Sequence, residues 1–191
     1  MSKSIAFIGV GNMGCPMAEN LMKSGKSVKV FDVSKKMLEI ARYKNLETID
    51  NLDDLITDNI ETVVTMLPEG KHSKEVYLGE KGIINRVSKD CLLIDCSTID
   101  IQTSIEIGKK ASELGINMID APVSGGVMGA QKATLNIMVG GSKEAYEKAL
   151  PLLKIMGKNI FHAGDLGSGN GAKICSAPFF DNSSTVFPKN G

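Results

Sequence analysis

Ile5-Ala6-Phe7-Ile8-Gly9-Val10-Gly11-Asn12-Met13-Gly14 is the stretch on which the reading of this chain turns. Ile5–Gly9 is a short apolar run that reads as a strand, and Met13–Lys23 sets Met17, Leu21 and Met22 on one helical face. The glycines between them follow a Gly-x-Gly-x-x-Gly spacing, and each has its own physical reason. Gly9 permits a tight turn, Gly11 lets the backbone approach a pyrophosphate, and Gly14 allows a helix to pack closely on a strand. The helix N-terminus then offers unpaired N–H groups to the anion. Asp32 closes the next strand, where a carboxylate accepts hydrogen bonds from adenosine ribose hydroxyls and repels a 2′-phosphate. Arg42 lies a full helix later, and Lys35 and Lys36 read as a solvated helix face. The expectation is NAD rather than NADP, held by Gly9, Val10, Gly11, Asn12, Met13, Gly14 and Asp32. Glycines that merely shape a turn, or an S-adenosylmethionine site, are the competing readings.

Working outward, strand-like runs alternate with helical stretches. After Val28–Phe31 come a helix over Ser34–Tyr43 with Ser34 as cap, and a short helix over Asn51–Ile56 capped by Asn51. Thr62–Leu67 is a strand stopped by Pro68, a polar helical stretch runs through Val76, and Leu92–Asp95 is the next strand. Ile101–Leu114 is helical, Ile116–Ala121 a strand, Pro122–Gly129 a glycine-rich loop, Leu135–Val139 a strand, Lys143–Met156 a helix, and Asn159–His162 a last short strand. Such alternation predicts an α/β fold: a doubly wound, mostly parallel Rossmann-type sheet in a single domain. Pro178 disfavours helix at Ala177, so a helix entering from Gly169 is expected to stop there. The expected division is a dinucleotide-binding domain over residues 1–175 and an irregular, disordered tail over 176–191.

Composition bounds the rest. The chain has 191 residues, 42% of them hydrophobic and 23% charged, with 22 basic and 22 acidic side chains. A core can be buried, and the balanced charge argues against an electrostatic nucleic-acid binder. No apolar run approaches the roughly 20 residues of a membrane span. Met1-Ser2-Lys3-Ser4-Ile5 has no signal-peptide layout, which suggests a cytoplasmic protein, or a mitochondrial one whose targeting segment is missing. The 4 cysteines have no CxxC spacing, and His72 and His162 are the only imidazoles, so no metal site is expected. Cys96 and Cys175 lack an obvious base and receive no nucleophilic role, and the 10 methionines read mainly as core filler. Arginine stands only at Arg42 and Arg86, which leaves few candidates for a guanidinium clamp on an acid substrate.

Phe7-Ile8-Gly9-Val10-Gly11-Asn12-Met13-Gly14-Cys15-Pro16-Met17-Ala18-Glu19-Asn20-Leu21 resembles the opening signature of the 3-hydroxyisobutyrate dehydrogenase family of β-hydroxyacid dehydrogenases. The resemblance continues through Thr65-Met66-Leu67-Pro68, Leu93–Asp100 and Asp120-Ala121-Pro122-Val123-Ser124-Gly125-Gly126, and ends with Gly167-Ser168-Gly169-Asn170-Gly171-Ala172-Lys173-Ile174-Cys175. It implies that Leu67 and Pro68 line the cofactor cleft with His72 behind them, and that Thr98 stands at the nicotinamide end. Ser124, Gly125 and Gly126 would hold the substrate carboxylate by hydroxyl and backbone N–H groups. Lys173 would be the general acid/base on the substrate oxygen, since a desolvated lysine has a lowered pKa suited to proton transfer. The implied reaction is NAD-dependent oxidation of 3-hydroxyisobutyrate to a semialdehyde, as in valine breakdown; the family is homo-oligomeric, through a dimerisation domain that is not expected in this chain. A sister β-hydroxyacid dehydrogenase or semialdehyde reductase shares these loops, whereas a 6-phosphogluconate dehydrogenase would carry a His-Asn pattern beside the lysine.

The resemblance stops after Cys175. Ser176 and Ala177 stand where the family carries two asparagines, the second of which contacts substrate, and the family then continues into an all-helical domain that covers the site. The expectation is a chain that keeps cofactor binding better than turnover. A non-catalytic nucleotide-binding remnant is the alternative from outside the enzyme class.

Overall fold

The computed structural model describes residues 3–57 and 59–180. Five parallel strands and the helices between them build its first part: β1 (Ser4–Ile8), α1 (Gly14–Lys23), β2 (Val28–Phe31), α2 (Lys35–Tyr43), β3 (Glu47–Thr48), α3 (Leu52–Leu55), β4 (Ile60–Thr65), α4 (Gly70–Leu78), β5 (Leu92–Asp95) and α5 (Ile101–Glu113). There follow β6 (Asn117–Asp120), β7 (Val123–Ser124), α6 (Gly126–Gln131), β8 (Leu135–Gly140), α7 (Lys143–Met156), β9 (Gly157–Gly164) and α8 (Ser168–Phe180). The strand order is β3-β2-β1-β4-β5-β6-β8-β7, with β9 also against β8. The sheet is parallel from β3 to β6; β8 then runs antiparallel to β6 and β7 and parallel to β9. The order reverses between β1 and β4, where a doubly wound sheet opens a crevice at the carboxyl ends of its strands.

β1 shows why the central strands are largely apolar. All five of its residues are buried, Ile5 and Phe7 into the core under α1, α2 and α7, Ala6 and Ile8 into the core under α4 and α5. A strand covered on both faces has no polar side, so it reads as a continuous apolar run. Phe7, Met17, Leu21 and Leu153 anchor the first core, and Tyr77, Leu93 and Ile107 the second. Each such side chain contributes about 1.5–3 kcal/mol when fully buried. Short polar caps start the helices. Ser34, Asn51, Asp100 and Ser142 each accept a backbone N–H, at 3.4, 3.0, 2.8 and 3.1 Å respectively.

Several expectations need correction. The Pro122–Gly129 segment is not all loop: β7 and α6 occupy it, because Gly125 and Gly126 take positive φ (131° and 61°) and turn the chain onto a short helix. That helix is docked on α1 by the Asn20 side-chain amide, which donates to the Ala130 carbonyl at 2.7 Å. The two-residue β3 was not foreseen, and the last strand extends over Gly157–Gly164. The helix carrying Lys173 does not stop at Ala177; it continues through Pro178 to Phe180. Residues 181–191, the remainder of the expected tail, lie outside the described residues. No described helix is long and apolar enough to cross a membrane.

Candidate active site

The glycine turn after β1 is shaped by what cannot fit there. Gly9 has φ +92°, and a Cβ on it would lie 2.3 Å from the Met66 carbonyl oxygen. A Cβ on Gly14 would meet the Gly9 carbonyl oxygen at 1.9 Å. Both are backbone-on-backbone approaches that no side-chain rotation relieves. Gly11 differs, because nothing lies within 4 Å of where its Cβ would be. It borders a cleft of about 510 Å³, a volume in the usual range of a ligand site. The α1 N-terminus has no side-chain cap, so its first N–H groups are not taken by a neighbouring side chain.

Asp32 fixes the turn from the neighbouring strand. Its Oδ2 accepts the Val10 N–H at 2.8 Å and its Oδ1 the Ser34 N–H at 2.8 Å. Each oxygen keeps a lone pair for a ribose hydroxyl. Gly9, Gly11, Asn12, Met13, Gly14, Asp32, Leu67, Pro68 and His72 all line the cleft. Val10 does not; its side chain is buried and its N–H serves Asp32. The His72 Nδ1 is a buried atom in this wall with no hydrogen-bond partner. Both arginines already have partners. Arg42 reaches Thr48 and Asp50, and Arg86 holds the side chain and carbonyl of Asp53. Arg42 does line a second cavity together with Asp32, Val33 and Lys35, where its guanidinium pairs with Asp50 at 3.5 Å.

The far wall of the cleft is set by Asp95, at the end of β5. Its carboxyl is fully buried, and burial pushes it above the usual carboxylate range against the opposing pull of the Ser97 and Thr65 hydrogen bonds. Thr65 donates to Asp95 Oδ1 at 2.8 Å and lies 2.9 Å from the Tyr77 hydroxyl, while the Ser97 N–H donates to the same oxygen at 3.0 Å. Ser97 Oγ in turn accepts the Leu67 N–H at 2.8 Å. The strand-end acid thereby fixes the Leu67–Pro68 wall. Thr98 is exposed on this loop, between the buried Ser97 and Ile99, and does not line the cleft around Asp32.

Lys173 projects from α8 and donates from Nζ to the Val123 carbonyl at 2.9 Å. Desolvation lowers its pKa. The bond brings Lys173 against the segment that continues into Ser124, half-buried, and Gly125 and Gly126, both exposed. Sequence reasoning missed the two groups that hold this helix, Asp120 and Asn170. Asp120 accepts the Gly167 and Asn170 N–H groups at 2.7 Å each, and the Asn170 side chain reaches Ile99 N and Ser104 Oγ. The only signal for them was a carboxylate closing an apolar strand, a place where a buried charge needs donors. The cysteines stay out of the chemistry. Burial pushes the Cys91 thiol up to about 12 and Cys96 higher still, and Cys175 is exposed. No group of three or more His, Cys, Asp or Glu able to hold a metal ion occurs among the described residues.

Residues 4–164 match the family model of the NAD binding domain of 6-phosphogluconate dehydrogenase. The chain belongs to that NAD-binding family. It is 46% identical over 172 residues to the 3-hydroxyisobutyrate dehydrogenase of Pseudomonas aeruginosa, covering 90% of this chain and 57% of that one. It is also 42% identical over 174 residues to the NAD-dependent L-serine dehydrogenase of the same organism, covering 91% and 58%. Among solved structures, Mycobacterium tuberculosis 3-hydroxyisobutyrate dehydrogenase with L-serine superposes with a TM-score of 0.86 at 36% identity, over 92% of this chain and 59% of that one. The chain thus spans somewhat more than half the length of these relatives. The cleft suits NAD: Gly11 borders it with open space where a Cβ would stand, the α1 N-terminus has no side-chain cap, and the Asp32 carboxylate lines it.

Proposed function

We propose that this chain is the cofactor-binding part, residues 1–175, of an NAD-dependent β-hydroxyacid dehydrogenase whose substrate is 3-hydroxyisobutyrate. The observation that carries the reading is the bond from Lys173 Nζ to the Val123 carbonyl, which seats a desolvated amine beside Ser124-Gly125-Gly126. In this reading the substrate carboxylate takes hydrogen bonds from the Ser124 hydroxyl and the Gly125 and Gly126 N–H groups, with no arginine needed. Lys173, in its neutral form, takes the proton from the substrate hydroxyl. NAD, when bound, accepts the hydride from the carbinol carbon. The lowered pKa of Lys173 raises the share of neutral amine at moderate pH, which is what a base for this step requires. Thr98 stands at the nicotinamide end, and His72, Leu67 and Pro68 flank the cofactor.

L-Serine is the second substrate to consider, because one relative is named for it and the structural neighbour was solved with it. It too is a β-hydroxyacid and would use the same carboxylate subsite. A cytoplasmic or mitochondrial setting belongs to the same proposal.

The test is NADH production by the 191-residue chain with each acid. Turnover that falls by about 10²–10⁴-fold in Lys173→Ala, with NAD affinity unchanged, supports the reading. Lys173→Ala turnover equal to wild type overturns the role of the lysine. Tight NAD binding without turnover on either acid overturns the enzyme reading for this chain and leaves a nucleotide-binding module.

A further inference from the structure

Lys173 sits one helical turn beyond Asn170, so its place in the site is set by how the start of α8 is seated. That seat is polar and almost wholly buried. Asp120 is 1% exposed and Asn170 0%. Asp120 Oδ1 accepts the Gly167 N–H at 2.7 Å, and Oδ2 accepts the Asn170 N–H at 2.7 Å and its side-chain amide at 3.3 Å. The Asn170 amide also donates to Ser104 Oγ at 2.9 Å, and its oxygen accepts the Ile99 N–H at 3.0 Å. Two glycines make room for the carboxylate. A Cβ on Gly140 would fall 2.2 Å from Asp120 Oδ1, and one on Gly169 2.8 Å from Oδ2.

We propose that Asp120 and Asn170 are positioning residues that lock the Lys173 helix and the Thr98 loop into one unit. Asp120 fixes the start of α8 along its axis through two backbone N–H groups. Asn170 then ties that helix to Ile99, the neighbour of Thr98. The inference rests on Lys173 being the proton-transfer group, and it accounts for a carboxylate at this buried position. Removing an acid from water is costly, and an apolar contact of the same size holds two elements together equally well. A charge is favoured where it meets a helix N-terminus and exact placement of a distant side chain matters. The juxtaposition serves the reaction by keeping the amine, the carboxylate subsite beyond Val123 and the nicotinamide-end loop in one register.

The experiment reads Lys173 directly, without turnover. Competitive acetylation of the full chain across pH, followed by mass spectrometry, gives the titration midpoint of Lys173 in wild type, Asp120→Asn and Asn170→Ala, with NAD affinity measured alongside. The expected result is a midpoint moved up toward the ordinary lysine range in both variants, with saturable NAD binding retained because the glycine cradle is untouched. A midpoint unchanged in both variants overturns the proposal and leaves the two residues a purely structural role. Should either variant fail to fold, amide exchange of wild type decides instead. One locked unit requires the Gly167, Asn170 and Ile99 amides to show protection factors within about threefold of one another, and protection factors that scatter widely overturn it. None of these readouts depends on substrate, so the absence of turnover would count against the proposed function alone.

Discussion

The glycine cradle after β1 and the seat of α8 solve the same problem, placing backbone N–H groups and a functional side chain, by opposite means. The cradle works by absence. Gly9 and Gly14 bring backbone within 2.3 and 1.9 Å of where a Cβ would stand, so the turn exists only without side chains. The seat of α8 works by presence, since Asp120 and Asn170 fill a buried space with hydrogen bonds spanning 50 positions of sequence. A steric device is local and unforgiving. A polar device is long-range, and its loss is graded by how many donors remain paired.

The comparison breaks first at Gly14. Gly14→Ala should cost about 3 kcal/mol, seen as a lowered urea midpoint, and abolish NAD binding, because neither backbone group can yield. Gly11→Ala sharpens the point. With nothing within 4 Å it should leave the midpoint within about 0.5 kcal/mol of wild type yet weaken NAD binding at least about tenfold, as the new methyl occupies the pyrophosphate approach. A Gly14→Ala chain as stable as wild type would contradict the steric account. Next in size is Asp32→Asn, for which NAD affinity measured calorimetrically should fall about tenfold, near 1.4 kcal/mol, and the preference over NADP should shrink. An unchanged preference would remove Asp32 as the discriminating group.

On the α8 side the expected effect is smaller and depends on pH. Desolvation lowers the Lys173 pKa, so between that value and the ordinary lysine value the unfolded chain binds more protons than the folded one. Stability therefore rises with pH through that window, and below it the folded chain bears the cost of a partly desolvated charge. Lys173→Met should accordingly be more stable than wild type at neutral pH, with the advantage shrinking as the pH climbs through the window. Urea midpoints at several pH values check this, and an advantage that grows with pH would contradict it. Least is expected of the surface. Lys148 and Glu144 pair at 2.7 Å but are largely exposed, and Lys148→Ala should change stability by no more than about 0.5 kcal/mol.

What could be read from the sequence follows the same division. The cradle, Asp32, the Ser34 and Asn51 caps and the full span of α7 rest on neighbours in sequence, and each was legible there. α6 was not, because a six-residue helix containing Gly126 and Gly129 has little propensity of its own and is settled by docking on α1. The antiparallel turn of β8 also depends on partners far along the chain. Pro178 argued for an early end to α8, and the helix passes through it. Asp120 lay in plain view within Asp120-Ala121-Pro122-Val123, yet nothing nearby shows that its donors come from Gly167 and Asn170.

Cofactor choice rests on the cleft that the cradle and Asp32 form together. The most direct measurement is a paired titration of the chain with NADH and NADPH under identical conditions. The geometry predicts saturable NADH binding, with NADPH weaker by at least about tenfold, since its 2′-phosphate would meet the Asp32 carboxylate while Arg42 is engaged by Asp50. Equal affinity for the two, or no binding of either, would contradict it.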